Sequence, residues 1–141
     1  MISYLIDTDW VIDFLKGKRG VVDRLSSLVD KGLALSIISL AELYEGVYAS
    51  DNPESVMKGL HDFLAGVTVL GIDNEIAKIF GKQRAILRKE RRLIDNFDLL
   101  IAATCLHYGL SLLTNNVSHF DRIKGLKISR AGNLPRLWRG I

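Results

Sequence analysis

The sequence predicts an α/β fold built on a mainly parallel sheet of about five strands. Two observations carry this. Five short apolar runs, at 2–6, 33–38, 67–72, 110–114 and 126–129, are separated by stretches with helical character. That alternation is the pattern of parallel strands joined by helical crossovers. The runs are also nearly continuous in apolar residues, as expected when helices cover both faces of the sheet.

Each element follows from local chemistry. Residues 2–6 form the first strand, after which Thr8 or Asp9 caps a helix to about Lys16 that Gly17 stops. "VVDRLSSLVDKG" (21–32) is a second helix ending on Gly32, and "LALSII" (33–38) a second strand. "SLAELYEGVYAS" (39–50) is a helix, Asp51-Asn52-Pro53 a break, and 54–64 another helix. "VTVLGI" (67–72) is the third strand, and 74–91 a long helix with Ile76, Ile79, Phe80, Ile86 and Leu87 on its apolar face. "NFDLLIAATCLHYG" (96–109) is almost wholly apolar after its first turn, which places it centrally. "LSLLT" (110–114) and "LKIS" (126–129) are the last strands, with a short helical piece between them.

At 141 residues the chain is expected to be a single domain, 1–141. Pro53 and Pro135 are the only prolines, and no repeat or low-complexity linker divides the chain. Nineteen Lys and Arg against sixteen Asp and Glu give a net charge of +3, compatible with a nucleic-acid partner. The single cysteine, Cys105, excludes an internal disulfide and fits a reducing compartment. No apolar run approaches the ~20 residues of a membrane span. No basic stretch precedes an apolar segment at the N-terminus, so a secretory leader is not expected and a cytoplasmic location is.

Open α/β sheets place their sites beyond the carboxyl ends of the strands. Asp7 ends the first strand, and Glu42 opens the helix after the second. Asp95 and Asp98 flank the start of the apolar helix that leads into the fourth strand. That strand ends on "TNN" (114–116), with Asp121 shortly after. Each acid has an ordinary structural explanation. Asp7 can start a turn, Ser39 and Glu42 spell a capping box, and Asp95 and Asp98 suit a helix N-terminus. Independent capping acids need not share one edge of a sheet, however. Carboxylates crowded there repel one another unless protonated or holding a cation, and an all-oxygen set favours Mg²⁺ or Mn²⁺. Two such ions about 3.5–4 Å apart activate a water and stabilise a leaving oxygen in phosphodiester hydrolysis. The carboxylates of Asp7, Glu42 and Asp98 are therefore expected to face a common point.

Other chemistries lack their residues. His61, His107 and His119 have no metal-ligand spacing, although His119 lies near the site loop. No Ser–His or Cys–His constellation supports covalent catalysis, Cys105 reads as core, and no Gly-rich phosphate loop follows the first strand. Lys82, Arg84, Arg88, Lys89, Arg91 and Arg92 form a basic run that ends three residues before Asp95. It reads as a solvated helix face or as an RNA phosphate contact made by Arg88, Arg91 and Arg92. Trp10, Tyr44 and Tyr48 suit core, a dimer contact or a groove for a partner helix.

The blocks "YLIDTDWVIDFL", "SIISLAELYEG", "NFDLLIAATCLHYG" and "LLTNNVSHFDRIKGL" together resemble the signature of PIN-domain ribonucleases. The likeness is greatest to the VapC-type toxins of VapBC toxin–antitoxin pairs and spans about residues 2–134. It implies a three-layer α/β/α sandwich, a Mg²⁺- or Mn²⁺-dependent endoribonuclease, a cognate antitoxin and a homodimer. By motif, Asp7, Glu42 and Asp98 are the implied metal ligands and catalytic acids. Asn116 stands where many members carry a fourth acid. It supplies a neutral oxygen, which puts a second metal in question; Asp95 and Asp121 are candidates to compensate. Thr8 and Thr114 are placed to orient ligands through their hydroxyls. The expected reaction is in-line attack of an activated water on an RNA phosphodiester, with Asp95 and Asn116 assisting. Two other classes stay open: an RNA-binding module with a weakened metal site, and a phosphatase-like hydrolase. The phosphatase reading wants a lysine at the end of the third or fourth strand, and none is there. A nuclease without an antitoxin is a further variant of the first reading.

Overall fold

A computed structural model describes residues 1–129. Pro135 and the end of the stretch that carries the family resemblance lie outside the described residues. The strands are β1 (Tyr4–Ile6), β2 (Leu33–Ser36), β3 (Thr68–Leu70), β4 (Ser111–Leu113) and β5 (Lys127–Ser129). The helices are α1 (Thr8–Leu15), α2 (Arg19–Leu28), α3 (Ile37–Ala49), α4 (Pro53–Leu64), α5 (Asn74–Lys89), α6 (Asn96–Tyr108) and α7 (Val117–Phe120), with a 3-10 turn at Val29–Lys31. The sheet order is β3-β2-β1-β4-β5, and every pairing is parallel.

Side-chain alternation divides the core into two halves. Ile6, Leu35 and Leu113 point to a cluster built with Trp10 and Val11 of α1, Leu25 of α2, Leu43 of α3 and Leu60 of α4. Leu5, Ala34 and Leu112 point the other way, to Leu87 of α5, Leu99, Ile101, Ala102 and Cys105 of α6, and Phe120 of α7. Helices therefore sandwich the sheet, and apolar residues are needed at successive strand positions. A Leu5→Ala change in such a doubly covered strand costs about 2–5 kcal/mol.

Gly32 secures the entry to β1. It sits at φ 84°, and a Cβ there would run into the Met1 carbonyl oxygen. Its own carbonyl accepts from the Ser3 and Tyr4 amides at 3.0 and 3.2 Å. A side chain at this position would both strain the backbone and push the first strand away.

The chain runs outward from β1 to β2 and β3, then returns across the sheet to β4 on the other flank of β1. The reversal makes a crevice beyond the carboxyl ends of β1 and β4. Asp7 directly follows β1, and Thr114 directly follows β4.

Two local expectations need correction. The cap of α3 is Ser36, whose Oγ accepts from the Ile38 amide at 3.1 Å, so Ser39 and Glu42 form no capping box. The helix starts two residues earlier than the pattern suggested, which moves Glu42 into the second turn. At α1 the cap is Asp7, not Thr8 or Asp9; its Oδ1 accepts from the Thr8 amide at 2.8 Å.

Candidate metal centre

Asp7 is built into the sheet end. Its amide donates to the Leu113 carbonyl at 3.0 Å, extending the β1–β4 ladder, and its carbonyl accepts from Trp10 in α1. The residue is only 4% exposed. Thr114, fully buried, donates its hydroxyl to Asp7 Oδ2 at 2.6 Å. Burial dominates the carboxyl's electrostatics and pushes its pKa up to about 6, against the Thr114 and Thr8 hydrogen bonds that pull it down. The charges of Asp9 and Asp98 push it further in the same direction.

Glu42 is held from α1. Thr8 Oγ1 lies 2.8 Å from Glu42 Oε1 and 2.8 Å from Ser39 Oγ. A hydroxyl has one proton to give, and a carboxylate only accepts. Thr8 therefore donates to Glu42, and the buried Ser39 hydroxyl donates to Thr8. The relay fixes one carboxylate oxygen of Glu42, and its pKa is raised by burial first, then by the charges of Asp98, Asp95 and Asp9.

Asp98 lies in the first turn of α6, half-buried. Its pKa is raised by burial and by neighbouring Asp95, while His119 pulls it down. His119 Nδ1 stands 3.7 Å from Asp98 Oδ2 and 2.8 Å from the Asn116 side-chain amide. The Asn116 backbone amide donates to Thr114 Oγ1 at 2.9 Å. Asn116 thus reaches the acids through His119 and Thr114.

Three acids from the ends of three different segments therefore share one electrostatic neighbourhood, since the charge of Asp98 acts on both Asp7 and Glu42. They do not close on a common point: among the described residues no group of three His, Cys, Asp or Glu side chains stands ready to hold an ion. Asp7 is tethered by Thr8 and Thr114, Glu42 by Thr8, and bare carboxylates repel. The donors nevertheless fit a hard divalent cation. All are oxygens, and each carboxyl is shifted toward its protonated form, a penalty that a cation would relieve.

The remaining residues divide clearly. Asp95 is exposed and caps α6, its Oδ2 accepting from the Phe97 and Asp98 amides at 3.0 and 3.3 Å. Asp121 is exposed at the end of α7. Arg88, Arg91 and Arg92 are exposed at the end of α5 and in the turn that follows. Trp10 is fully buried, Tyr44 packs on the core, and Tyr48 is exposed. A cleft of about 440 Å³ between α1, α3 and α4, lined by Ile12, Leu15, Leu43, Val47 and Leu60, opens onto Glu42.

Sequence reasoning took Asp9 and Ser39 only as helix-capping residues, not as parts of the site. Asp9 lies in the first turn of α1 and its charge acts on Asp7, Glu42 and Asp98 alike. The Asp-x-Asp spacing was a usable signal, because a capping acid and a first-turn acid stay close at a helix start. Nothing in the sequence joined Ser39 to Thr8, 31 positions away.

The PIN domain model matches residues 4–126. The chain is similar to ribonuclease VapC2 of Haemophilus influenzae, at 34% identity over 128 residues covering 90% of this chain and 96% of that protein. It is also similar to the tRNA(fMet)-specific endonuclease VapC of Shigella flexneri, at 31% identity covering 90% and 96%. Its fold is similar to that in the crystal structure of VapBC2 from Rickettsia felis bound to a DNA fragment from their promoter. There the TM-score is 0.86 at 30% identity, covering 92% of this chain and 98% of that chain.

Proposed function

The chain belongs to the PIN-domain family, and from that premise we propose that it is a VapC-type endoribonuclease toxin. Its centre, Asp7, Glu42 and Asp98, holds Mg²⁺ or Mn²⁺. The observation that carries this is Asp7, a strand-end carboxylate kept buried by Thr114 and raised in pKa beside two further acids.

When bound, the divalent ion supplies the positive charge that polarises the scissile phosphate and lowers the pKa of the attacking water. The chain's own residues set the geometry. Thr114 and the Thr8 amide hold the two oxygens of Asp7, and the Ser39–Thr8 relay fixes one oxygen of Glu42. Asp95 orders the first turn of α6 and so the carboxylate of Asp98. Asn116 and His119 brace the opposite wall. Hydrolysis adds water across the P–O bond: its oxygen joins phosphorus, and a proton goes to the leaving sugar oxygen. Arg88, Arg91 and Arg92 hold flanking phosphates and so position the strand over the centre.

The cognate antitoxin fits the apolar cleft between α1, α3 and α4. A segment seated there would reach Glu42 and so obstruct the centre. A homodimer belongs to the same reading, and sedimentation of the purified chain tests it.

The decisive assay is cleavage of labelled structured RNA with Mg²⁺, with Mn²⁺ and with EDTA, beside Asp7→Asn. Metal-dependent cutting that Asp7→Asn loses is expected. Asn116 in place of an acid favours one second reading, an RNA-binding module with a weakened centre. RNA bound tightly but left intact under every metal would select it.

A further inference from the structure

We infer that Phe97 and Arg84 form a nucleotide-binding step at the rim of the metal centre, with Phe97 stacking on an unpaired RNA base and Arg84 gripping the adjoining phosphate. The inference rests on the ribonuclease reading and adds to it the single-stranded character of the substrate at this position.

Phe97 is 51% exposed in the first turn of α6. It directly precedes Asp98, an acid of the proposed centre. Its backbone is not free to wander, because Asp95 Oδ2 accepts from the Phe97 amide at 3.0 Å. A large apolar side chain is thus held in water on a rigid mount, which lowers the entropy lost when something stacks on it.

Arg84 points to what that partner is. Its Nε donates to Asn96 Oδ1 at 2.9 Å, beside Phe97, and this bond orients the guanidinium. Among the described residues its two terminal nitrogens make no hydrogen bond or ion pair, leaving a donor fork at the start of α6. Such a fork matches the oxygens of a phosphate. Arg88, Arg91 and Arg92 continue the positive edge, with Glu90 the one acid among them. An oriented cation bonded to Asn96 and an aromatic ring mounted on the next residue suit a polyanion with stackable faces. Unpaired RNA has both, whereas paired bases hide their faces.

The test uses the full chain in the non-cutting Asp7→Asn background with a labelled single-stranded RNA, and the parental chain for cleavage. Phe97→Ala is expected to weaken RNA binding by roughly five- to a hundredfold and to raise KM more than it lowers kcat, with Phe97→Tyr restoring both. Arg84→Gln is expected to lower the slope of log affinity against log salt by roughly 0.7, and Arg84→Lys to keep most of it. Thermal melts of each variant check that the fold is retained. Unchanged binding and KM in both Phe97→Ala and Arg84→Gln, with a parent that binds and cuts, would overturn the pair and leave the ribonuclease reading intact. A parent that neither binds nor cuts any RNA would remove the underlying reading and this one with it. Loss of dimer in sedimentation at unchanged RNA affinity would make Phe97 a contact between copies instead.

Discussion

The Thr114 hydroxyl and Asp7 Oδ2 lie 2.6 Å apart, though the two residues are 107 positions apart in sequence. The bond crosses from the end of β4 to the end of β1, at the point where the sheet reverses direction. It ties the first strand of the chain to the site and stabilises the ionised form of an acid that burial disfavours.

Removing that hydroxyl should cost both fold and activity. Thr114→Val leaves Asp7 with one donor fewer and also strips the Asn116 amide of its acceptor. A destabilisation of about 1.5–3 kcal/mol is expected, together with a fall of at least roughly tenfold in kcat/KM for RNA. Thr114→Ser should recover most of both. Urea melts and cleavage assays measure the two effects, and a Val variant that cuts at the parental rate would refute the role given to Thr114.

The metal-free protein should become less stable as pH rises from about 4 to 6. Asp7 releases its proton near 6 when folded and near its ordinary value of 3.8 when unfolded. Between those values the folded state holds more protons, so unfolding free energy declines with rising pH and levels off above the window. For Asp7 the decline amounts to up to about 3 kcal/mol. Glu42 and Asp98 shift in the same direction. Urea melts in EDTA give the profile, which Asp7→Asn should make shallower, leaving the share of Glu42 and Asp98. Mg²⁺ should raise the melting temperature at pH 7.5 and do little at pH 4.5, where Asp7 is largely protonated. Stability that climbs between pH 4 and 6 in EDTA would contradict the assignment.

Thr8→Val should act on Glu42 without touching it. The change cuts the relay and leaves the buried Ser39 hydroxyl without an acceptor. A loss of about 1–3 kcal/mol in stability is expected, with a weaker apparent affinity for Mg²⁺ in calorimetry. Thr8→Ser keeps the hydroxyl and should restore the metal affinity. Equal metal binding in Val and Ser variants would leave the relay without a function.

Arg91 invites a test in which stability and function move apart. It has φ 57°, the only positive value at a non-glycine among the described residues. It occupies the position just past the end of α5, where the Arg91 amide reaches the Arg88 carbonyl and the Arg92 amide the Leu87 carbonyl. Glycine is the usual occupant of that turn. Arg91→Gly should therefore stabilise the protein by about 1 kcal/mol, while RNA binding weakens through loss of a phosphate contact. A glycine variant that gains stability and binds RNA as well as the parent would show that the guanidinium is not used.

How much was legible in the sequence depended on range. All five strands and the long helices were legible: the inner strands β1, β2 and β4 are covered on both faces and so apolar at successive positions, and the helical stretches between strands were clear. The strands came out shorter than the apolar runs; β2, for one, ends at Ser36, which caps α3 and turns Ile37 and Ile38 into helix. The start of α3 was misplaced because "SIISLAE" offers two serines three residues apart, either able to cap. The end of β2 at Ser36 decided between them, and that is a pairing fact. Asp7, Glu42 and Asp98 were legible as acids near strand ends. That Asp95 spends an oxygen on its own helix, and that Asn116 turns to His119, required the folded arrangement.

The central place of β1 also governs when the site can come into being. During synthesis Asp7 leaves the ribosome roughly a hundred residues ahead of its neighbour strand β4, which begins only at Ser111. Closing a loop of that length is a late, non-local event. A nascent chain that has not yet reached β4 has Asp7 without the strand and the Thr114 hydroxyl that anchor it, so the centre cannot be assembled until most of the sheet has been made. Order of synthesis then sets when the centre can form.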